Sequence, residues 1–275
     1  MIIERLHRIG RTLAAGMVVA LTLGAAPGSP HDRRGEGIED ARWVGALALR
    51  GQVFHVQGLA LDDTHAWVTS VDRRHRRGYL HEFDRRTGAL LRRRDLTDGA
   101  RYHVGGLSTR DGSIWVPVAE MRPASSAVLL EIDAATLATR RTIRIPDHLG
   151  FVAASDHRLV AGNWDSRLLY VLDPADGRRL RVVPNVSHTR YQDAKFVGGQ
   201  LVAGGYRNLW SGTLDFIDWP SMTVHRTLRA GPVGRIRPFG RGGPLTGEGM
   251  AIEGRDLFVV AEDGPTRLIR FRLEA

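Results

Sequence analysis

Polar side chains suited to metal binding or acid–base chemistry recur just ahead of short apolar segments along this chain. When these segments are aligned on a shared small residue, one position is occupied by His55, His103, Asp147, Tyr191 and Thr246. The position two residues later is occupied by Gln57, Gly105, Leu149, Asp193 and Glu248, while His148 and His188 fall in the same stretches. Imidazole and carboxylate groups suit Zn²⁺, iron or Mn²⁺, so their convergence from separate segments would form a metal centre or a small-molecule site.

A second set of polar residues follows the next apolar segment of each repeat, and it includes Asn163, Trp164, Arg207 and Glu262. The predicted ligand-binding residues are His55, Gln57, His103, His148, Asn163, Trp164, His188, Asp193, Arg207, Glu248 and Glu262. The candidate ligands for a divalent metal ion are His55, His103, His148, His188, Asp193 and Glu248. The chain has no His-Glu-x-x-His, P-loop, Rossmann or Gly-x-Ser-x-Gly pattern, so the sequence identifies no catalytic residue.

Five repeats of a β-strand pattern must position these residues. Four of them contain a short apolar strand, a polar turn, a second strand, a third strand closing on Asp and a fourth strand. The fifth has a third strand at 268–273 without a fourth, whereas a lone strand at 43–49 precedes the first repeat. This pattern predicts an all-β, five-bladed β-propeller closed by the N-terminal strand, which completes the last blade. Six blades are the alternative if residues 27–40 contain a further strand.

The first 30 residues have the composition of a secretory signal peptide. Arg5, Arg8 and Arg11 precede an apolar run over 13–26 and a Pro/Gly/Ser stretch over 27–30. The run is shorter than the roughly 20 apolar residues of a membrane span, so we expect secretion with no stable membrane span after processing. The predicted organisation is a signal peptide at 1–30, a flexible segment at 31–41 and a single propeller domain at 42–275. Without Cys, the secreted domain must rely on its packed core.

The net charge of +9 comes almost entirely from arginine, because Lys195 is the sole lysine. Arginine runs at 92–94, 140–141 and 178–179 fall in the predicted fourth strands, the outermost of each blade. Charged outer strands keep sheet edges from pairing with other chains. Nucleic-acid readers usually interleave basic groups with stacking aromatic residues, and these runs have none. We therefore expect a monomer with largely exposed arginine runs and no nucleic-acid partner.

In a propeller, the loops that carry the aligned polar residues open together at one mouth of the central channel. Several short sequence segments at this predicted mouth resemble those of known families. They are Phe54-His55-Val56-Gln57-Gly58-Leu59, Tyr102-His103-Val104-Gly105-Gly106-Leu107, Asp147-His148-Leu149-Gly150, Asn163-Trp164, and Ser187-His188 with Tyr191-Gln192-Asp193-Ala194-Lys195-Phe196. In these phrases the chain resembles an uncharacterised family of exported propeller proteins, which implies a shared fold and site without a known activity. It is more weakly similar to the plant-type glutaminyl cyclotransferases, five-bladed propellers that open on Phe-x-Gln-Gly-Leu. The chain departs from them at 191–194, where that family carries Asn-Glu-Leu-Glu. The blade pattern also resembles lactonase-like and surface-layer propellers, a likeness of fold alone.

These observations favour a secreted propeller that binds a small ligand at the mouth of its channel. The alternative is an enzyme that uses the His/Asp/Glu cluster, either a metal-assisted, lactonase-like hydrolase or a glutaminyl-cyclotransferase-like enzyme. A metal-assisted enzyme requires three protein ligands about 2.0–2.2 Å from one ion and an open position for water. The sequence identifies neither the ligand nor a protein partner.

Overall fold

The computed structural model describes residues 37–234, 242–262 and 264–274. Regular structure in these ranges is β-strand except for a 3₁₀ turn at Trp164–Ser166. The predicted signal peptide at 1–30 and most of the flexible segment at 31–41 lie outside the described residues, and both stay predictions. No helix within the described ranges is long and apolar enough to cross a membrane.

The strands form five blades of antiparallel sheet, each running from an inner strand at the channel to an outer strand. The first strand in the chain is β1 (Ala41–Ala48). Blade 1 contains β2 (His55–Leu61), β3 (His65–Asp72), β4 (Arg77–Asp84) and β5 (Leu90–Asp95). In blade 2 the inner strand is split, and the strands are β6 (Arg101–Val104), β7 (Ser108–Arg110), β8 (Ser113–Glu120), β9 (Ala127–Asp133) and β10 (Thr139–Ile145).

The second half of the ring repeats this order. Blade 3 contains β11 (Phe151–Ala154), β12 (Leu159–Gly162), β13 (Leu168–Leu172) and β14 (Arg179–Pro184). Blade 4 contains β15 (Arg190–Val197), β16 (Gln200–Tyr206), β17 (Gly212–Asp218) and β18 (Thr223–Ala230). A two-stranded ribbon of β19 (Pro232–Val233) and β20 (Gly243–Pro244) follows. Blade 5 contains β21 (Gly249–Glu253), β22 (Asp256–Val260) and β23 (Arg267–Leu273).

Strand β1 supplies the fourth strand of blade 5. It pairs antiparallel with β23, from Ala41 opposite Leu273 to Ala48 opposite Arg267, with a β-bulge after Trp43. Half-buried and exposed residues alternate along β1, as expected for an outer strand with one covered face. The prediction of five blades closed by an N-terminal strand is confirmed, and the six-bladed alternative is wrong.

The inner strands approach one another closely around the channel axis, and glycine permits this. A Cβ atom on Gly58 of β2 would lie 2.7 Å from Cα of Gly106, and one on Gly249 of β21 would lie 2.5 Å from the carbonyl carbon of Gly58. Larger residues at these positions would push blades 1, 2 and 5 apart. The second strands are sandwiched between neighbouring blades, and all but the last residue of β8 are buried.

Arginines on the fourth strands of blades 1, 2 and 3 each link their blade to the next. Their guanidinium groups donate to a backbone carbonyl in the neighbouring blade's outer turn: Arg92 to Ala135 (2.9 Å), Arg141 to Ala175 (2.7 Å) and Arg181 to Pro220 (2.6 Å). Arg92 and Arg141 also pair with carboxylates on the third strand of their own blade, Glu82 and Glu131. We call these contacts the inter-blade arginine links. Arg92, Arg94 and Arg141 are half-buried, which corrects the prediction of exposure at those positions. The other arginines of the three runs are exposed as predicted: Arg93, Arg140, Arg178 and Arg179.

Candidate functional site

A cavity of about 430 Å³ opens on the side of the ring where the first strands begin and the second strands end. All five blades line it, which follows from the repeat because equivalent loops of a propeller open on the same face. Each blade contributes a lining residue from its start, and in blade order these are His55, His103, His148, Tyr191 and Glu248. Loops after the second strands complete the wall.

One side of the cavity holds an acid–imidazole cluster of His55, Glu248 and Glu262. One potential ligand atom from each of these side chains lies within 4.8 Å of the others. The Nδ1 atom of His55 lies 2.9 Å from Oε2 of Glu262, which also accepts the backbone N–H of Val56 at 3.3 Å. The amide Nε2 of Gln57 donates to Oε2 of Glu248 at 3.2 Å. The carboxylates from blade 5 are thus oriented by the first strand of blade 1.

A second side of the cavity is an aromatic wall formed by His103, His148 and Trp164. The ring centroids of His148 and Trp164 are 4.7 Å apart in an edge-on arrangement, and those of His103 and His148 are 5.1 Å apart. The Nδ1–H group of His148 donates to the carbonyl of Glu120 at 2.9 Å. Because a carbonyl can only accept, this bond places the proton of the neutral ring on Nδ1.

The imidazoles of the aromatic wall are held neutral by their surroundings. Burial lowers the pKa of His103 to about 3, an effect to which the charges of His148, His55 and Arg73 add. Burial also lowers the pKa of His148, although its bond to the Glu120 carbonyl acts in the opposite direction. The Nδ1 atom of His103 is buried without a hydrogen-bond partner among the described residues. The wall is therefore uncharged at neutral pH and suited to stacking and hydrogen bonding.

A strained turn presents Trp164 to the cavity. The next two residues, Asp165 and Ser166, have left-handed backbone conformations with φ of 57° and 50°. For residues other than glycine this conformation costs roughly 1–2 kcal/mol each. Asn163 holds the turn, since its carbonyl accepts the N–H of Ser166 at 2.8 Å and its side-chain oxygen accepts the N–H of Leu168 at 2.9 Å. Strain that is held in place in this way often marks a functional position.

The structure brings eight of the eleven predicted ligand-binding residues to the cavity wall: His55, Gln57, His103, His148, Asn163, Trp164, Glu248 and Glu262. Three others are not lining residues. His188 and Arg207 are exposed to solvent. Asp193 is fully buried, and it accepts hydrogen bonds from the backbone of Leu59 at 3.0 Å and from Lys195 at 2.5 Å.

The predicted metal ligands do not lie together but are divided between the two sides of the cavity and positions outside it. His55 and Glu248 lie in the acid–imidazole cluster, while His103 and His148 belong to the aromatic wall. Strand β15 has a β-bulge at Gln192 and β2 has an equivalent one at Gln57, so Gln192 lines the cavity as Gln57 does, whereas Asp193 is equivalent to Gly58 and is buried. Aligning the repeats on their small residues paired Gln57 with Asp193, which is one residue out of register.

The sequence prediction did not include several lining residues, among them Arg73, Met121, Arg190 and Asn208. Their place in the repeat could have identified three of them, because Arg73, Met121 and Asn208 follow second strands as Asn163 does. Arg190 lies with its guanidinium 5.7 Å from the ring of Tyr206. It also approaches Asp165, with Nε 3.9 Å from Oδ2, and so closes the rim between blades 3 and 4.

Comparisons with known proteins agree with this architecture. A model for a family of unknown function (DUF6454) matches residues 39–261. No curated protein matches the chain. Among solved structures, the glutaminyl cyclase of Myxococcus xanthus aligns with a TM-score of 0.62 and 15% identity, over 85% of this chain and 96% of that one.

Two further structures have the same kind of fold. A protein of unknown function from Bacteroides caccae aligns with a TM-score of 0.51 and 11% identity, over 78% of this chain and 73% of that one. The Neurospora crassa Pan2 WD40 domain aligns with a TM-score of 0.50 and 10% identity, over 86% of this chain and 98% of that one. At these identities the likeness is one of fold alone.

Proposed function

The chain belongs to the DUF6454 family of unknown function, and from its site we propose that it binds a small polar molecule at the channel mouth. The observation that carries the proposal is one cavity of about 430 Å³ lined by both the acid–imidazole cluster and the aromatic wall. A cavity of roughly 300–1,000 Å³ with a few oriented polar groups is typical of small-ligand sites.

The two sides of the cavity favour different parts of a ligand. The carboxylates of Glu248 and Glu262 accept hydrogen bonds, so they suit a donor-rich end such as an amine or an amide. The uncharged rings of His148 and Trp164 suit a planar or ring-shaped part, which they can stack against. Both sides are oriented by hydrogen bonds from residues behind them, which reduces the entropy lost on binding.

A second candidate is the enzyme that the sequence left as an alternative. The observation that favours it is the grouping of His55, Glu248 and Glu262 within 4.8 Å, because an imidazole beside carboxylates can serve general acid–base or metal-assisted chemistry. A lactone that opens, or an N-terminal glutamine that cyclises with release of ammonia, would support this candidate. If every compound that binds is recovered chemically unchanged, the protein binds its ligand without catalysing a reaction.

Export and a monomeric state are further proposals. Their support is the basic and apolar composition of residues 1–30 and the pairing of β1 with β23, which covers the edge that blade 5 would otherwise expose. Sequencing the N-terminus of protein recovered outside the cell tests export. Multi-angle light scattering of the same material tests the monomer.

The experiment for ligand binding compares the wild type with Trp164→Ala. Amino-acid amides, monosaccharides and aliphatic lactones are screened by melting temperature, and each compound that stabilises the wild type is then titrated by calorimetry. We expect Trp164→Ala to weaken binding about tenfold, the roughly 1.4 kcal/mol that one stacked aromatic contact can supply. Trp210→Ala is the matched control, because Trp210 is 62% exposed and does not line the cavity.

The proposal fails if no compound class binds the folded wild type. It also fails if Trp164→Ala and Glu262→Gln, each with an unaltered circular dichroism spectrum, bind as tightly as the Trp210→Ala control. Equal losses in Trp164→Ala and Trp210→Ala would place the ligand outside the cavity.

A further inference from the structure

We infer that the acid–imidazole cluster binds a divalent first-row cation, Mn²⁺ or Zn²⁺, through His55, Glu248 and Glu262. The inference deepens the proposed function, and it rests on that proposal only in placing the ion within the ligand cavity. Its support is the arrangement of the three side chains. Two of these residues, His55 and Glu248, are among the sequence-predicted metal ligands.

The spacing of the three side chains is close to that of a coordination shell. Their potential ligand atoms lie within 4.8 Å of one another. Ligand atoms about 2.0–2.2 Å from one ion can be no more than about 4.4 Å apart, so a shift of a few tenths of an ångström would suffice. The 2.9 Å between Nδ1 of His55 and Oε2 of Glu262 already fits two neighbouring ligands of one octahedral ion.

The groups behind the cluster also match a metal site, in which outer residues orient the ligands. Gln57 is 4% exposed, and its amide donates to Val56 O at 2.8 Å and to Glu248 at 3.2 Å. The backbone N–H of Val56 holds Glu262 from the same strand. One inner strand therefore orients both carboxylates.

The donor set indicates which ions would bind. One imidazole with two carboxylates is harder than the nitrogen- and sulfur-rich sites of copper, while Ca²⁺ prefers six to eight oxygens. Mn²⁺ and Zn²⁺ accept both imidazole and carboxylate, and three protein ligands leave open positions on either ion. A bound ion could therefore also contact the donor atoms of a small ligand directly.

The test titrates MnCl₂ and ZnCl₂ into the chelator-treated full-length protein by calorimetry, and Mn²⁺ binding is followed independently by electron paramagnetic resonance. We expect one ion per chain. His55→Ala and Glu248→Gln should each lower the affinity by more than the roughly tenfold that loss of an outer orienting residue costs. Gln57→Ala should give that smaller loss.

His75→Ala is the matched control. His75 forms a similar pair, with Nδ1 2.7 Å from Oδ2 of Asp72, but it belongs to no group of three potential ligands in the described ranges. His75→Ala should leave the affinity unchanged. Melting curves of each variant without metal check that the fold is retained.

The outcomes separate this inference from the proposed function. Metal binding that survives Trp164→Ala but is lost in His55→Ala supports the ion site, whatever the small ligand is. An absence of Mn²⁺ and Zn²⁺ binding, or binding that is equal in His55→Ala, Glu248→Gln and His75→Ala, overturns it. In that case a small ligand that still binds the wild type would leave the proposed function standing.

Discussion

At the scale of single residues, Asp193 shows how one buried carboxylate can organise the channel. It accepts the backbone N–H groups of Leu59 in blade 1 at 3.0 Å and of Met250 in blade 5 at 3.1 Å. It also accepts from its own neighbour Ala194 and from Lys195, the sole lysine of the chain. A buried charge is tolerated when it is paired and hydrogen-bonded in this way. Asp193 therefore joins blades 1, 4 and 5.

We predict that Asp193→Asn lowers the free energy of unfolding by about 3–5 kcal/mol, because it leaves the ammonium of Lys195 buried without its counter-charge. Urea denaturation measured by tryptophan fluorescence checks this. The double variant Asp193→Asn/Lys195→Met should recover part of the loss, since it removes the unpaired charge. A single variant as stable as the wild type would contradict the structural role.

At the scale of elements, the inter-blade arginine links explain why a chain with a net charge of +9 concentrates arginine on its outer strands. Arg141 on β10 shows the pattern, since it pairs with Glu131 in its own blade and donates to the Ala175 carbonyl of the next. The planar guanidinium can make both contacts at once, which the single ammonium of lysine cannot do with the same geometry. The basic charge thus has a role in holding neighbouring blades together.

We predict that Arg141→Gln lowers the free energy of unfolding by about 0.5–1 kcal/mol, since the link is partly exposed and screened by solvent. A double-mutant cycle with Glu131→Gln measures how much of this comes from the ion pair. Arg144→Gln is the control, because Arg144 lies exposed on the same strand. Equal effects at positions 141 and 144 would mean that the link contributes nothing beyond its charge.

At the scale of the whole molecule, β1 closes the ring. Without it, β23 would present an unpaired edge on blade 5, whereas the outer strands of the other four blades are built from their own repeats. The contact also buries side chains, as Trp43 packs edge-on against Phe271 with ring centroids 5.3 Å apart. Closure therefore depends on a strand far away in sequence.

We predict that removing residues 1–50 causes aggregation, because the β23 edge becomes available for pairing with other chains. Light scattering and size-exclusion chromatography measure this. Removal of residues 1–36 is the control, since it retains β1. If the variant without residues 1–50 stays monomeric with an unchanged melting temperature, closure by β1 is dispensable.

The sequence was sufficient to predict what depends on the repeat. The strand order, the number of blades and the pairing of β1 follow from apolar segments of regular spacing, and so does the side of the ring on which His55 and Glu248 meet. It could not place residues whose direction depends on local backbone geometry. Gln192 and not Asp193 occupies the position equivalent to Gln57, and His188 is exposed to solvent outside the cavity wall.

Ring closure also has a mechanical consequence. Ala41 lies opposite Leu273, and the N–H of Glu274 donates to the carbonyl of Asp40 at 2.7 Å, so both ends of the propeller leave from the same end of the β1–β23 ladder. A force that pulls these ends apart loads the cross-strand hydrogen bonds one after another instead of all together. The ring should therefore open under tension by unzipping at blade 5, at a lower force than a sheet loaded in shear.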